Sequence, residues 1–173
     1  MHVLHTERLE LRHLEPRDLE ALFALYRDPE IRRYFPDGTR TLAQTKAELE
    51  WHEHGHPRNP ELGLWATVDR TSGEFIGRCG LLPWTIDRVP EVELAFLIAK
   101  DRWGQGLATE AARGIVRYAD KRLGLQRLIC LVMHGNAASV RVTEKIGMKF
   151  ERKYTDEFGP CTIYSISLGA CEA

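Results

Sequence analysis

Between Val92 and Ala99 the chain is apolar almost without interruption, with Glu93 as its one charge. Polar residues follow, then Gly104 and Gly106 on either side of Gln105, then Ala108. From there Leu107, Ala111, Ile115, Tyr118 or Ala119, and Leu123 recur at three- and four-residue spacing. The first stretch predicts a strand buried on both faces. The second predicts an amphipathic helix, and the glycines mark the turn that joins them.

The same reading extends along the rest of the chain. Thr6 to Leu14 alternates apolar and polar residues and predicts a first strand with Leu9, Leu11 and Leu14 inward. Pro16 and Asp18 open a helix whose stripe is Leu19, Leu22, Phe23, Leu25 and Tyr26. Asp28 to Gly38 reads as a short helical turn running into a loop. A second helix, capped by Thr39 or Thr41, carries Ala43, Ala47 and Trp51 at four-residue spacing with Leu42 and Leu49 beside them. Leu62 to Val68 and Glu74 to Leu82 pair around a turn at Asp69–Gly73, and a break at Asp87–Pro90 leads into the central apolar strand. Gln126 to Met133 is another buried strand, followed by a turn, a short helix stopped at Gly147, and a last hairpin, 150–156 with 161–168. No repeat, low-complexity tract or linker divides 1–173, so a single α/β domain is expected.

A strand that empties through glycines into a helix start suits an anion. The first-turn N–H groups lack intrahelical partners and sit at the positive end of the helix dipole. Gly104 and Gly106 let backbone approach a bulky ligand. Pyrophosphate held by main-chain amides is one reading; a tight strand-to-helix turn with no ligand is the other. A Walker loop is absent, and Thr109 stands where a dinucleotide fingerprint needs its third small residue, so a nucleotide-dependent oxidoreductase is disfavoured.

Composition narrows the class. Lys plus Arg number 24 against 25 acids, giving a net charge of −1. With no basic excess, no nucleic-acid partner is expected. No apolar run reaches the roughly 20 residues that span a bilayer, and Met1–Glu7 does not read as a signal peptide. Cys79, Cys130, Cys161 and Cys171 are scattered, which fits a reduced cytoplasmic enzyme better than a disulfide framework. His52, His54 and His56 alternate where a helix needs four-residue spacing for ligands, so a solvated helix end and no metal are expected, checked by a calorimetric metal titration without heat.

Trp103-Gly-Gln-Gly-Leu-Ala-Thr-Glu-Ala111 resembles the acetyl-coenzyme A loop of the GNAT superfamily of N-acetyltransferases, closest to the subgroup that includes the ribosomal-protein acetyltransferases RimJ and RimL. Thr6-Glu-Arg-Leu-Glu-Leu-Arg12 is similar to that subgroup's opening, and Asn136, Ser139, Glu144, Lys145 and Gly147 match a later family segment in register. The resemblance covers about 6–168. It implies the α/β (α+β) GNAT fold, a mixed, mostly antiparallel sheet of six to seven strands splayed at its centre and flanked by about four helices. It also implies acetyl-CoA as co-substrate, without metal, and an amine acceptor as partner: a peptide N-terminal α-amine, or else a small amine. No membrane partner is implied, and a homodimer is left open.

The implied roles fall on particular residues. Main chain at Phe96, Leu97 and Ile98 pairs with the pantetheine; Trp103, Gly104, Gln105, Gly106, Leu107, Ala108 and Thr109 form the pyrophosphate loop. Asn136 and Ser139 bind the cofactor arm near the thioester, and Lys145 reaches its distal phosphate. Tyr34, Phe35 and Trp51, with Ile31, border the acceptor, unless they only pack helices onto the sheet. Glu93 is the candidate general base, with Glu91 as alternative; a strand-end charge facing solvent is the other reading of Glu93. Ser139 is the candidate proton donor to the leaving thiolate, or a helix cap. A CoA-binding domain without turnover is the competing class.

Overall fold

The computed structural model describes residues 1–169. Eight strands form one sheet: β1 His2–His5, β2 Leu9–His13, β3 Gly63–Asp69, β4 Phe75–Ile86, β5 Val89–Ile98, β6 Arg127–Met133, β7 Lys149–Asp156 and β8 Gly159–Ser167. Their spatial order is β1-β2-β3-β4-β5-β6-β8-β7, and every neighbouring pair is antiparallel except β5 with β6. Four α-helices accompany the sheet: α1 Leu19–Tyr26, α2 Leu42–His52, α3 Leu107–Lys121 and α4 Ala137–Lys145. The fold is therefore the expected mixed, mostly antiparallel one. It has one strand more than the upper count of seven, because His2–His5 adds an edge strand beside β2.

The two sheet faces are covered differently. Leu107, Ala111, Ile115 and Ala119 of α3 pack with Trp65, Leu94 and Leu128 on one face, along the stripe read from the sequence. Each such burial contributes up to about 1.5–3 kcal/mol for a large aliphatic side chain. On the other face Leu22, Leu25 and Tyr26 of α1 and Leu49 of α2 cover Ala66, Val68 and Leu97. Leu9, Leu11 and Leu14 are all buried, as the alternation predicts. The break before the central strand is a two-residue turn in which Asp87 and Arg88 take φ of 51° and 67°. That mirror-image turn matches the strand twist, so β4 and β5 form one long hairpin.

The second helix corrects the periodicity reading. Thr41 is its N-cap, accepting from the Gln44 N–H at 3.2 Å. Its buried face, however, is Thr45, Leu49 and His52, whereas Ala43, Ala47 and Trp51 point to solvent. Two alanines offer little area to bury, and Thr45 costs little inside because its hydroxyl donates to Thr41 O at 2.9 Å. His52 is accordingly not part of a solvated helix end: it is buried, with Nδ1 facing the Leu64 N–H at 3.4 Å. Burial holds its imidazole neutral, with the pKa down to about 4. His54 is exposed and His56 half-buried. Cys79, Cys130 and Cys161 are buried free thiols, and Cys171 lies outside the described residues.

Candidate active site

Glu93 and Ile129 form the single rung that joins β5 to β6. Beyond it the two parallel strands part, and both run toward the same edge of the sheet. Ala99 N–H donates to Ile76 O at 2.7 Å. Counting back along the antiparallel ladder, odd-numbered main chain of β5 faces β4 and even-numbered main chain faces β6. Phe96 N–H and C=O thus look into the opening, while Leu97 main chain belongs to the β4 ladder opposite Arg78. Ile98 O, also on the open side, accepts from the Trp103 indole N–H at 2.8 Å. Of the three main-chain positions expected to pair with a ligand, Phe96 is the one turned to the gap with no partner among the described residues.

The glycine turn closes one end of this opening. Gly104 and Gly106 have φ of 75° and 78°, a left-handed conformation that disfavours any residue with a Cβ. Gly106 is the N-cap of α3 and has no side chain with which to cap the helix. Leu107, Ala108 and Thr109 are its first turn, with amides directed out of the helix end. Gln105 is held by its own Nε2 on Asp101 O at 3.2 Å and by Arg8 Nη1 on its carbonyl at 3.1 Å. Such a turn can accept an anion without rearrangement.

At the other end, a cavity of about 270 Å³ lies beyond β6, lined among others by Val132, Met133, Gly135, Asn136 and Val140. Asn136 Oδ1 caps α4 by accepting from Ser139 N–H at 3.1 Å. The capping expected of Ser139 is thus supplied by Asn136, because Ser139 stands three residues into the helix. The Ser139 hydroxyl makes no hydrogen bond among the described residues. Tyr34 lies beside the cavity's Gly135: its ring is 3.7 Å from where a Cβ on that glycine would stand.

Glu93 sits between these parts. Its carboxylate accepts from the Trp84 indole N–H at 2.6 Å and is half-buried, so it is not a strand-end charge facing solvent. Burial pushes its pKa up to about 7, against the lowering effects of Trp84, the Leu131 main chain and Arg78. A carboxyl poised there exchanges protons readily near neutral pH. Glu91, the alternative, is bound by Arg127 Nε at 3.1 Å, which also holds Glu151 through Nη2 at 2.8 Å. That ion pair occupies the Glu91 carboxylate, whereas Glu93 accepts from a neutral indole donor.

A model of the acetyltransferase (GNAT) domain matches residues 8–149. The chain belongs to the GNAT acetyltransferase family. It is 33% identical over 162 residues to the uncharacterized protein YkkB of Bacillus subtilis, with 93% of both chains covered. It is 31% identical to FsC-acetyl coenzyme A-N(2)-transacetylase of Aspergillus fumigatus over 90% of this chain and 68% of that one. Among solved structures, an acetyltransferase (GNAT family) from Bacillus anthracis superposes with a TM-score of 0.81 at 24% identity, covering 96% of this chain and 98% of that one, which shows the shared fold.

In this acetyltransferase Glu93 and Phe96 lie on β5, the Trp103–Thr109 turn follows that strand, and Asn136 and Ser139 follow its parallel neighbour β6. Lys145 is exposed at the last turn of α4, where its carbonyl accepts from Arg113 Nη2 at 3.0 Å and ties α4 to α3. Phe35 lies under the Arg32 guanidinium, 4.1 Å from ring to carbon, and packs in the α1/α2 cluster as the packing alternative allows. Trp51 is 55% exposed on the outer face of α2, edge-on to His56, and the structure does not bring it to the cleft. Sequence reasoning missed Trp84, which holds Glu93, and Arg78. The signal for Arg78 was the one that singled out Glu93: a charge inside an otherwise apolar strand.

Proposed function

We propose that this acetyltransferase moves the acetyl group of acetyl-CoA to a primary α-amine by direct attack in a ternary complex. The observation that carries the reading is Glu93, poised near neutrality at the last rung before β5 and β6 separate. Pantetheine would lie in the gap against Phe96 main chain, with the diphosphate on the amides from Gly104 to Thr109. Glu93 takes the proton of the attacking amine, directly or through one water. An α-amine, with pKa about 7.7–8.0, matches a carboxyl near 7 far better than a lysine near 10.4 does. A main-chain N–H beside the thioester stabilises the developing oxyanion, a contribution of about 3 kcal/mol for one such donor. The Ser139 hydroxyl returns a proton to the departing thiolate, and Asn136, already fixed as the α4 cap, orients the cofactor arm.

The resemblance of Trp103–Ala111 to the RimJ/RimL loop favours an N-terminal peptide amine; amino acids offer an α-amine on a smaller scaffold, made more basic by the neighbouring carboxylate. The three buried free thiols suit a reducing compartment such as the cytoplasm. The test is acetyl-CoA-dependent thiol release across N-terminal peptides and small amines. Glu93→Gln and Ser139→Ala should each lose turnover while CoA affinity is kept. Near-wild-type turnover in both removes the assigned roles, and tight CoA binding with no thiol release from any amine favours a regulatory domain instead.

A further inference from the structure

Beneath the connection between α1 and α2 runs a continuous chain of polar contacts. Arg78 Nε donates to the Tyr26 hydroxyl at 2.8 Å, and that hydroxyl donates in turn to Glu48. Glu48 accepts from Arg40 Nη1 at 2.8 Å, Arg40 Nη2 meets Asp37 at 2.7 Å, and Asp37 pairs with Arg32. Burial pushes Tyr26 up to about 12, so it takes part as a neutral hydroxyl, and His52 alongside is neutral too. Three guanidiniums therefore face two carboxylates, and one positive charge is left over.

That charge resides at the Arg78 end. Arg32 is as deeply buried, but it is matched by Asp37 and donates Nε to Gly38 O at 2.7 Å. Arg78, only 5% exposed, has no carboxylate at ion-pair distance among the described residues. Its two terminal amino groups make no hydrogen bond there, yet they are not sealed from solvent. The Tyr26 hydroxyl and the Tyr26 and Phe35 rings, 5.8 and 5.4 Å from the guanidinium carbon, offset part of the burial, but a buried cation with no carboxylate in direct contact is costly to keep. The guanidinium fork is shaped for two parallel hydrogen bonds to a carboxylate, and a single surplus charge matches a monoanion.

Arg78 is also placed to serve the reaction. On β4 it stands opposite Leu97, and Leu82 stands opposite Glu93, so both charged residues share the sheet face that α1 and α2 cover. Four rungs separate them, about 13 Å between backbones, and the Arg78 charge is felt at the Glu93 carboxylate. Resting on the acetyl-transfer reading above, we infer that Arg78 is the anion-binding half of the acceptor site. The acceptor is then an amine that itself carries a carboxylate, as an amino acid does, with the carboxylate on Arg78 and the amine toward Glu93.

The test compares each of the common amino acids with its own amide, in two independent readouts on the full chain. In thiol-release kinetics, with kcat/KM expressed on the unprotonated amine because amidation lowers its basicity, at least one acid should exceed its amide by about tenfold or more, the worth of one charge-assisted pair. In calorimetry with CoA present, the N-acetylated form of that acid should bind more tightly than its amide by a similar factor, with no turnover required. Arg78→Met should erase the preference chiefly by raising KM for the acid, while Arg78→Lys keeps part of it. Equal values for acids and amides in both readouts overturn the inference while thiol release from either leaves acetyl transfer standing. Absence of thiol release from every amine removes the acetyl-transfer reading, and the calorimetry still decides whether a carboxylate is bound.

Discussion

Thr6 and Glu110, 104 positions apart in the chain, share a hydrogen bond of 2.6 Å from hydroxyl to carboxylate. The same carboxylate accepts from Arg8 N–H at 2.8 Å and from Arg8 Nε at 2.6 Å, and Arg8 also reaches the carbonyl of Gln105. The opening segment thus clamps the start of α3 and the glycine turn before it. Burial works against the charge of Glu110, but Thr6 and Arg8 outweigh it and hold the carboxyl below its ordinary range. The stabilisation is therefore present above the ordinary carboxylate pKa and fades as pH falls through the depressed one.

Glu110→Gln keeps the shape and removes the charge. Urea unfolding at pH 7 should show a loss of about 1–3 kcal/mol. CoA affinity, read by calorimetry, should fall as well, because Arg8, which holds the Gln105 carbonyl, loses its charged anchor. An unchanged midpoint would show the clamp to be ornamental.

Glu93 should govern the ascending limb of the pH–rate profile. With its pKa near 7, kcat/KM rises with pH and levels off about one unit above that value. Trp84→Phe removes the indole donor that favours the carboxylate, so the limb should move to higher pH. In Glu93→Gln the limb should vanish along with most of the rate. A limb that stays in place in Trp84→Phe would assign it to another group.

Gly106→Ala tests the turn. A Cβ there would approach only Arg8 Nη2, at 3.8 Å, so there is room for it. The backbone at φ 78° is the obstacle, at a cost of about 1–2 kcal/mol. Thermal unfolding should register that modest cost, and CoA affinity should fall at least as far if the turn grips the diphosphate. Full CoA affinity in a measurably strained variant would place the diphosphate elsewhere.

His52 makes the fold sensitive to acid. Its neutral ring is buried, so protonation is easier in the unfolded chain than in the native one. Stability contributed by the neutral ring is complete above about 6.5 and declines as pH falls toward 4. Denaturant midpoints measured from pH 7 to pH 4.5 should drop for the wild type and drop less steeply for His52→Leu. Parallel slopes would move the acid sensitivity to His13 and His56, whose rings burial also favours as neutral.

Local pattern sufficed for the parts whose chemistry is local. The apolar run broken by Glu93, the glycine turn and the stripe of α3 could all be read along the chain, because strand, turn and helix each have their own spacing. The inner face of α2 could not, since Ala43, Ala47 and Trp51 form as good a stripe on paper as Thr45, Leu49 and His52. The choice between them shows in what the inner face meets: Leu49 packs with Leu22, Leu25 and Tyr26 of α1, and His52 faces the Leu64 N–H of β3.

What the sequence alone determined is the order of elements, the glycine turn before the long helix and the single charge in the central apolar run, since these rest on backbone propensity and on one charge among apolar neighbours. Only the tertiary structure decided that β5 and β6 meet at Glu93 and part beyond it, that Trp84 holds that carboxylate, and that three arginines share two carboxylates. Those relationships pair residues far apart in sequence, and cross-strand register and charge balance exist only once the chain has closed on itself.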